Sequence, residues 1–359
     1  MALADERQRL VQVIRTFGWL GIVGIGGPAA HLAMMRRRVV QRDAWVSEDD
    51  FARMVGACAM VPGPNSTELA MALGGRRAGW RGLLVGGVSF IVPAFVIVCA
   101  IAFLYEDVLS STVIAEARRW LVPIVAAIVL DALWSLRTIA VRDRRDALIV
   151  VVALVAAVVL GMPELLVLVL VGVLGVALRA RIAPRRAGVW LAPLVAATVT
   201  PSLPKIFFVF LQIGSVIYGS GYVLLVFLES EVVNRGWIST EVLFDAISVG
   251  QFTPGPVFTT ATFIGWHLAG VGGALVATIG IFGPSFVFAA FVDKVVSLAD
   301  RSTAVAAFLR AVSSGSIALM AVVMWRLADE AFIDWLAVAT FVVAFLIVRL
   351  RPLRLIRRR

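Results

Sequence analysis

The sequence predicts an all-α protein that crosses a membrane many times and consists of two inverted-topology repeats. Three observations lead to this fold class: the composition, a match of the chain with itself, and helices broken at Pro-Gly-Pro motifs. Of the 359 residues, 61% are hydrophobic and 16% are charged, whereas a soluble domain carries about 25% charged residues. At about 20 apolar residues per crossing, the chain can hold many spanning helices but no large soluble domain. The composition excludes a water-soluble enzyme.

The charged residues favour a membrane protein over a nucleic-acid-binding protein. The formal net charge is +10, but the arginines occur in short clusters beside apolar runs, as the positive-inside rule predicts for cytoplasmic loops. Cys58 and Cys99 lie within apolar stretches, so neither a disulfide framework nor a cysteine metal site is expected. Residues 1–9 mix acidic and basic side chains without the pattern of a signal peptide, and we expect no cleaved leader.

A repeat becomes visible when the sequence is compared with itself. The stretch 17–95 aligns with 210–286 with two one-residue gaps, at offsets of 193, 192 and 191 residues in turn. The aligned pairs include Gly26 with Gly219, Pro62-Gly63-Pro64 with Pro254-Gly255-Pro256, and Pro93 with Pro284. The sequence therefore predicts two domains, an N-terminal repeat over 1–187 and a C-terminal repeat over 188–359.

The charges of equivalent loops predict that the two repeats have opposite orientations. The loop after the first glycine-rich segment contains Arg36-Arg37-Arg38, whereas its counterpart contains Glu229-Ser-Glu231. By the positive-inside rule the first loop is cytoplasmic and the second is outside. Inverted repeats of this kind are common in secondary transporters. The basic cluster 349–359 predicts a cytoplasmic C-terminus.

About nine or ten membrane spans follow from the apolar segments. Residues 48–78 and 240–268 each consist of two short apolar pieces that are divided by Pro-Gly-Pro, which predicts re-entrant helical hairpins. Nine other segments are predicted to cross the membrane, and they are 11–34, 82–105, 118–136, 147–160, 163–178, 206–228, 272–293, 304–325 and 333–349.

Four motifs carry a resemblance to a known family. They are Ile25-Gly-Gly-Pro-Ala-Ala-His31, Trp45-Val-Ser-Glu-Asp-Asp-Phe51, Val61-Pro-Gly-Pro-Asn-Ser-Thr-Glu68 and Thr253-Pro-Gly-Pro-Val-Phe258. In these motifs the chain resembles the chromate ion transporter family in its long, two-repeat form. The resemblance implies two homologous halves of opposite orientation and the export of chromate from the bacterial cytoplasm. It also implies a multi-pass protein of the bacterial inner membrane.

The Pro-Gly-Pro motifs themselves indicate an anion site. Their prolines remove backbone donors and stop a helix, and Asn65 followed by Glu68 predicts a capping box that opens the next helix. A helix N-terminus inside the membrane attracts an anion by about 0.3–1 kcal/mol when exposed and up to about 2 kcal/mol when partly buried. Thr259 and Thr260 are predicted hydroxyl donors of the second motif. The alternative is that each motif only joins two helices at a tight bend.

Other candidate residues leave alternatives open. Arg119 aligns with Arg310 at an offset of 191, and the pair either lies near a dianion or extends to the membrane interface. Glu68 is either a capping carboxylate or a proton site, and Asp131 either relays a proton or pairs with Arg137 nearby on its helix. The predicted substrate-binding residues are Gly26, Gly27, Pro28, Pro62, Gly63, Pro64, Asn65, Ser66, Thr67, Glu68, Gly219, Gly221, Gln251, Pro254, Gly255, Pro256, Thr259, Thr260, Arg119 and Arg310. For the glycines, close helix packing is the alternative to ligand contact.

These observations predict a secondary transporter rather than an enzyme. The sequence contains no Gly-x-x-x-x-Gly-Lys-[Ser/Thr] phosphate loop, so transport is expected to use the membrane potential or a proton gradient. The predicted partners are an oxyanion, chromate by the resemblance, and the lipid bilayer. No cofactor is predicted, and two separated histidines do not suffice for a metal site. An anion channel, or a transporter of sulfate or another oxyanion, is the alternative, and the sequence leaves open whether the chain forms a homodimer.

Overall fold

The structure, a computed structural model, describes residues 2–59, 61–108, 111–179, 201–217, 224–332 and 334–356. Within these ranges it contains thirteen α-helices and no strand, which confirms the predicted all-α class. The helices are α1 (Ala2–Val23), α2 (Gly27–Met35), α3 (Glu48–Cys58), α4 (Asn65–Phe103), α5 (Ser111–Ala140), α6 (Arg144–Leu154), α7 (Glu164–Arg179), α8 (Leu203–Val216), α9 (Leu224–Leu228), α10 (Thr240–Phe252), α11 (Thr260–Arg301), α12 (Thr303–Ala331) and α13 (Trp335–Ile356). Short π-helical segments lie at Arg36–Arg42, Leu104–Val108, Val155–Val159 and Glu229–Val233, and a 3₁₀ turn at Val257–Thr259 precedes α11.

The described residues form two compact units, and each unit combines equivalent parts of both predicted repeats. Unit 1 draws on Met1–Val108, Val199–Leu224 and Glu231–Arg301, and unit 2 draws on Leu109–Thr198, Leu225–Ser230 and Ser302–Arg359. The compact units therefore divide the chain differently from the predicted repeats. The predicted border between residues 187 and 188 lies outside the described residues.

Unit 1 is organised around its long helices. Helix α1 packs on α4, α8 packs on α11, and α4 packs on α11. The aromatic side chains of Phe17 on α1 and Phe210 on α8, which occupy equivalent positions in the two repeats, are fully buried. Within a membrane, burial of such side chains between helices stabilises the fold through van der Waals packing. Apolar residues at helical spacing therefore build the same packing twice.

The first predicted crossing, 11–34, is interrupted between α1 and α2. The backbone at Gly26 and Gly27 has φ angles of 111° and 72°, a region that glycine enters without steric cost. His31 on α2 holds this break together, because its Nε2 lies 2.9 Å from the carbonyl oxygen of Gly24. Its buried ring also meets Phe90 edge-on at 5.3 Å between centroids. The equivalent glycines of the second repeat, Gly219 and Gly221, lie outside the described residues.

Each Pro-Gly-Pro motif separates a short helix from the short first arm of a longer one, in agreement with the two short pieces that the sequence predicts. The helices before the motifs, α3 and α10, have 11 and 13 residues. At a rise of 1.5 Å per residue they are about 16–20 Å long, which is roughly half of the hydrocarbon thickness of a bilayer. These lengths fit the predicted re-entrant hairpins 48–78 and 240–268, whose depth in a membrane stays a prediction.

The helices after the motifs, α4 and α11, reverse direction after three to four turns. In α4 the helical backbone is lost at Ala78 (φ −142°, ψ 30°) and Gly79 (φ 62°, ψ −157°). In α11 the same two conformations recur at Ala269 and Gly270. Small residues line the two arms of each turn, so that Gly74 packs on the backbone of Gly82. Gly265 packs in the same way on Gly273 at the equivalent positions of α11.

Three helical stretches of the described chain are long and apolar enough to cross a membrane. They are Asn65–Glu106, Val257–Val292 and Thr303–Val322, and two shorter apolar helices occupy Leu203–Val216 and Trp335–Arg349. The first two stretches contain the reversals at Gly79 and Gly270. Helices such as α5 and α7 coincide with further predicted crossings, but the total of nine or ten spans stays a prediction.

Unit 2 is a helical bundle in which α12 packs on α5, α6 and α7, and α13 packs on α5. Small residues allow the close approach of α7 to α12. Gly175 faces Ala311, and Gly172 faces the ring of Phe308. Without a side chain on these glycines the helix surfaces meet directly, as is common in helix pairs within membranes.

Adjacent glycines on α4 provide a test of the reversal. A Cβ at Gly74 would overlap the carbonyl of Gly82, whereas a Cβ at Gly75 would meet Leu83 at an ordinary 3.5 Å. We expect Gly74→Ala to lower the free energy of unfolding by about 1–3 kcal/mol. Gly75→Ala should leave it unchanged or raise it by about 0.5–1 kcal/mol. Thermal unfolding of the two detergent-purified variants measures the difference, and equal melting temperatures would contradict this packing.

Candidate anion-binding site

Each Pro-Gly-Pro motif forms a hydrogen bond to the repeat that does not contain it, and the two bonds are equivalent. The N–H of Gly63 donates to the carbonyl oxygen of Ile217 at 2.7 Å, and the N–H of Gly255 donates to that of Gly24 at 2.9 Å. Both acceptors lie at the C-terminal ends of broken helices, α8 and α1, where carbonyl groups lack helical partners. Each motif therefore caps the helix break of the opposite repeat, within unit 1.

Both central glycines are required by backbone geometry and by close packing. Their φ angles are 131° at Gly63 and 95° at Gly255. A Cβ at Gly63 would overlap the Glu68 carboxylate and lie 2.8 Å from the Ser285 hydroxyl oxygen. A Cβ at Gly255 would lie 2.5 Å from the Cβ of Ala94. Ser285 and Ala94 are themselves equivalent residues of the two repeats.

A helix begins directly after each motif, but the predicted capping box at the first one is wrong. The N-cap of α4 is Pro64, which has an extended backbone and makes no side-chain cap, and Asn65 is already the first helical residue. Glu68 lies on the buried face of α4 and points back towards Gly63, but its carboxylate accepts no hydrogen bond from the backbone N–H groups there. After the second motif, Pro256 opens the 3₁₀ turn that leads into α11.

The first turns of the two helices differ in how their buried side chains are hydrogen-bonded. Thr259 donates its hydroxyl to the carbonyl oxygen of Pro256, and Thr260 donates to that of Val257, both at 2.8 Å. In the first repeat the equivalent residues are Thr67 and Glu68, which are fully buried. The Thr67 hydroxyl and both Glu68 carboxylate oxygens have no hydrogen-bond partner among the described residues. Of these two first turns, only the one after the first motif therefore contains buried side chains without a described partner.

Unit 1 contains most of the predicted site residues. Ser66 and Gln251 are buried beside the motifs, in the first turn of α4 and the last turn of α10, and the Gly26-Gly27-Pro28 segment forms the α1–α2 break. The structure does not place Gly219 and Gly221 among its described residues. Whether these residues bind an anion stays a prediction.

Arg119 and Arg310 belong to unit 2, where each already has a carboxylate partner. An Arg119 guanidinium nitrogen lies 2.5 Å from Asp334, and an Arg310 nitrogen lies 3.0 Å from Asp143. The two arginines are 191 residues apart and so are the two aspartates. Each arginine thus pairs with the aspartate of the other repeat. The shared offset of 191 residues could have indicated this pairing from the sequence. The sequence analysis did not identify the two aspartates or Ser285 as candidates.

The pair at Arg310 is extended by one further carboxylate and one further cation. Asp146 is fully buried and lies 2.5 Å from Arg310, and Arg179 also contacts it. Asp143 and Asp146 together form the capping box of α6. The hydrogen bond from the Asp146 backbone N–H, aided by the charges of Arg179 and Arg310, lowers the pKa of Asp143. At Arg119 the position equivalent to Asp146 is Ala337, so the second cluster is simpler.

The proposed local pair of Asp131 with Arg137 is wrong. Asp131 lies 3.5 Å from Arg349 on α13, whereas the Arg137 guanidinium stacks 3.5 Å above the Trp134 ring. A spacing of six residues does not bring two side chains to the same helix face, which requires three or four.

A comparison of the sequence with known families identifies the family of the chain. The sequence description of chromate transporters matches residues 11–176 and 204–356, which is most of the chain. The chain belongs to the chromate transporter family. It is therefore a membrane transporter and not an enzyme.

Two proteins named chromate transport protein match the chain over most of its length. A chromate transport protein of Pseudomonas aeruginosa is 29% identical over 86% of this chain and 79% of its own length. A second, from Cupriavidus metallidurans, is 29% identical over 90% of this chain and 84% of its own. YwrA, an uncharacterized transporter of Bacillus subtilis, is 26% identical over 126 residues. The match spans 35% of this chain and 71% of YwrA, which is therefore much shorter. No solved structure matches the chain.

The Pro-Gly-Pro glycines of this chromate transporter family member should tolerate no side chain. We expect Gly63→Ala and Gly255→Ala each to destabilise the protein, by about 1–2 kcal/mol for the left-handed backbone and about 1–3 kcal/mol for overpacking. Gly56→Ala on α3 is the control, because a Cβ there meets nothing within 4 Å. Melting temperatures in detergent measure the effect, and a Gly63→Ala variant as stable as Gly56→Ala would refute the close approach.

The two arginine–aspartate pairs should differ in how much they stabilise the protein. Arg310→Ala removes one of the cations that contact the fully buried Asp146. Arg119→Ala removes the cation that contacts Asp334, whose side chain is 28% exposed and can be solvated. Loss of one partner from a buried pair costs about 3–5 kcal/mol, and Arg179 reduces that cost at Asp146. We expect the melting temperature to fall more for Arg310→Ala than for Arg119→Ala. Arg42→Ala, at a side chain that is 71% exposed, should change it little. The reverse order would contradict the assignment.

Proposed function

We propose that the chain is a secondary transporter of the bacterial inner membrane that exports an oxyanion, with chromate as its substrate. Two relatives that match it over most of its length are named chromate transport proteins. The observation that carries the proposal is the pair of helix N-termini at Asn65 and Thr260, each of which follows a Pro-Gly-Pro motif bonded to the other repeat.

The chemistry of these helix ends suits an oxyanion. The first N–H groups of a helix have no partner within the helix, and the helix dipole favours a negative charge there by up to about 2 kcal/mol when partly buried. The Thr67 hydroxyl, which lacks a partner among the described residues, adds a donor in the first turn of α4. We place the anion at this end of the first hairpin, with the second hairpin completing the site.

An inverted arrangement of the two repeats is part of the proposal. Reciprocal contacts, in which each repeat gives the other the same bond, are those expected when two copies are related by a two-fold axis. The Gly63 and Gly255 hydrogen bonds and the crossed Arg–Asp pairs have this property. The arginine-rich loop at 36–38 and the acidic loop at 229–231 support an axis that lies in the membrane plane.

The direction of transport follows from charge. Moving one negative charge out of a cell with an inside-negative potential releases about 2.3 kcal/mol per 100 mV. A dianion therefore leaves the cytoplasm downhill, whereas its uptake would require cotransported cations. We assign Arg119 and Arg310 to helix packing in this mechanism, because their charges are already neutralised by aspartates.

Uptake of labelled chromate into inverted membrane vesicles tests the proposal. Saturable accumulation driven by an imposed potential supports export, and competition by excess sulfate tests the selectivity for chromate. Conductance without saturable counterflow would indicate an anion channel instead. Absence of chromate transport by a well-inserted protein would refute the substrate assignment. Light scattering of the purified protein decides between a monomer and a homodimer.

Replacement of Thr67 separates a binding role from a structural one. Thr67→Val keeps the shape and removes a hydroxyl that has no described partner, so the melting temperature should be unchanged. Loss of a hydrogen bond to a charged ligand, about 1.5–3 kcal/mol, should raise the KM for chromate at least tenfold. Thr340→Val, in which the lost hydroxyl donates to Leu336, serves as the control with an unchanged KM. An unchanged KM in Thr67→Val would remove this residue from the site.

A further inference from the structure

We propose that Glu68 is a proton-binding site whose protonation is required for anion binding at the first Pro-Gly-Pro hairpin. This inference rests on the proposed transport function and adds to it the coupling between the anion and a proton. The side chain of Glu68 is fully buried, and neither carboxylate oxygen has a hydrogen-bond partner among the described residues. The carboxylate lies against the Gly63 backbone in the first turn of α4, at the end where we place the anion.

Ser285 and this carboxyl group lie beside the same backbone position, that of Gly63. The Ser285 hydroxyl oxygen and the Glu68 carboxylate both lie within 2.8 Å of the position of a Cβ on Gly63. Ser285 is also fully buried, and its hydroxyl has no partner among the residues that the structure describes. Three unsatisfied polar atoms therefore share one small, water-excluded space.

No cation neutralises Glu68 in the described part of the chain. The helices packed against α4 are α1, α2, α3, α10 and α11. Among the residues whose side chains the structure describes, the titratable and charged groups of these helices, of α4 and of the following π-helical segment are Asp5, Glu6, Arg7, Arg9, Arg15, His31, Glu48, Asp49, Asp50, Arg53, Cys58, Arg76, Arg77, Arg81, Cys99, Tyr105, Glu106, Glu241, Asp245, His267, Lys294 and Arg301. None of these groups makes a hydrogen bond or an ion pair with Glu68.

Electrostatics then determines that proton binding at Glu68 favours anion binding. An ionised carboxylate that is buried without a donor or a cation is strongly disfavoured, so Glu68 in this closed space carries a proton. The neutral acid does not repel an oxyanion at the same helix end, and its O–H can donate to the anion or to Ser285. An ionised Glu68 would repel the anion. The anion and the proton therefore bind together, and the proton is released when water reaches the site.

The second repeat has no carboxylate at the equivalent position, so Glu68 supplies one proton for each anion. The position equivalent to Glu68 is Thr260, whose hydroxyl is satisfied by the carbonyl oxygen of Val257. A dianion that moves with one proton carries a single net negative charge. Its export remains downhill in an inside-negative potential, with half of the electrical driving force of the bare dianion.

Chromate counterflow in proteoliposomes between pH 6.5 and pH 9 tests the proposal. We expect the KM of the wild type to rise at least tenfold with pH. Glu68→Gln, which resembles the protonated acid, should keep the low KM at every pH apart from any change due to titration of chromate itself. Asp49→Asn, at an exposed carboxylate on α3, is the control that behaves as the wild type. A Glu68→Gln variant with the pH dependence of the wild type, or a folded one without counterflow, would overturn the proposal.

Labelling by a hydrophobic carbodiimide, which reacts with protonated carboxyl groups, tests Glu68 in the wild-type protein. Mass spectrometry should find Glu68 modified at neutral pH, and bound chromate should protect it. Absence of modification across the pH range would overturn the proposal even if Glu68→Gln did not fold. Absence of counterflow in the wild type, with Glu68 labelled as expected, would instead refute the proposed transport of chromate.

Discussion

The hydrogen bonds from the Gly63 and Gly255 N–H groups to the opposite repeat are the contacts on which the architecture of unit 1 depends. Each bond requires a backbone that only glycine adopts easily and an approach that no side chain permits. In return each satisfies a carbonyl group at the end of a helix, and at Gly24 it adds to the contact from His31. Two helix starts are thereby held at fixed positions without any side-chain cap.

The two hairpins share the Pro-Gly-Pro motif and a later reversal at a glycine, but they differ in polar chemistry. In the second, the hydroxyls of Thr259 and Thr260 donate hydrogen bonds to carbonyl oxygens of the preceding turn, so both hydroxyls are satisfied within the hairpin. In the first, Thr67 and Glu68 are buried with unsatisfied oxygens. Buried polar atoms without partners are rare in folded proteins because they are costly. Their concentration beside one helix N-terminus is the reason for placing both the anion and the proton at the first hairpin.

Unit 2 uses ion pairs where unit 1 uses backbone hydrogen bonds. Arg119 with Asp334 and Arg310 with Asp143 connect the two repeats in the same crossed manner. Arg179 and the buried Asp146 strengthen one of the two connections only. A symmetric sequence pattern, an arginine and an aspartate separated by the same offset in both repeats, therefore produces two connections of unequal strength.

The sequence by itself determined the helical class, the repeat and the positions of the helix breaks, because apolar runs, prolines and glycines act locally on the backbone. The family resemblance, carried by motifs such as Val61–Glu68, was equally visible there. Only the tertiary structure decided what the side chains contact. A helix cap was one of two alternatives for Glu68, which instead faces Gly63 without a hydrogen bond. A pair with Arg137 was one of two alternatives for Asp131, which pairs with Arg349. Arg119 and Arg310 were candidates for anion contact but bind aspartates of the other repeat. Such contacts join residues far apart in the chain, and local propensity does not predict which distant residues come into contact.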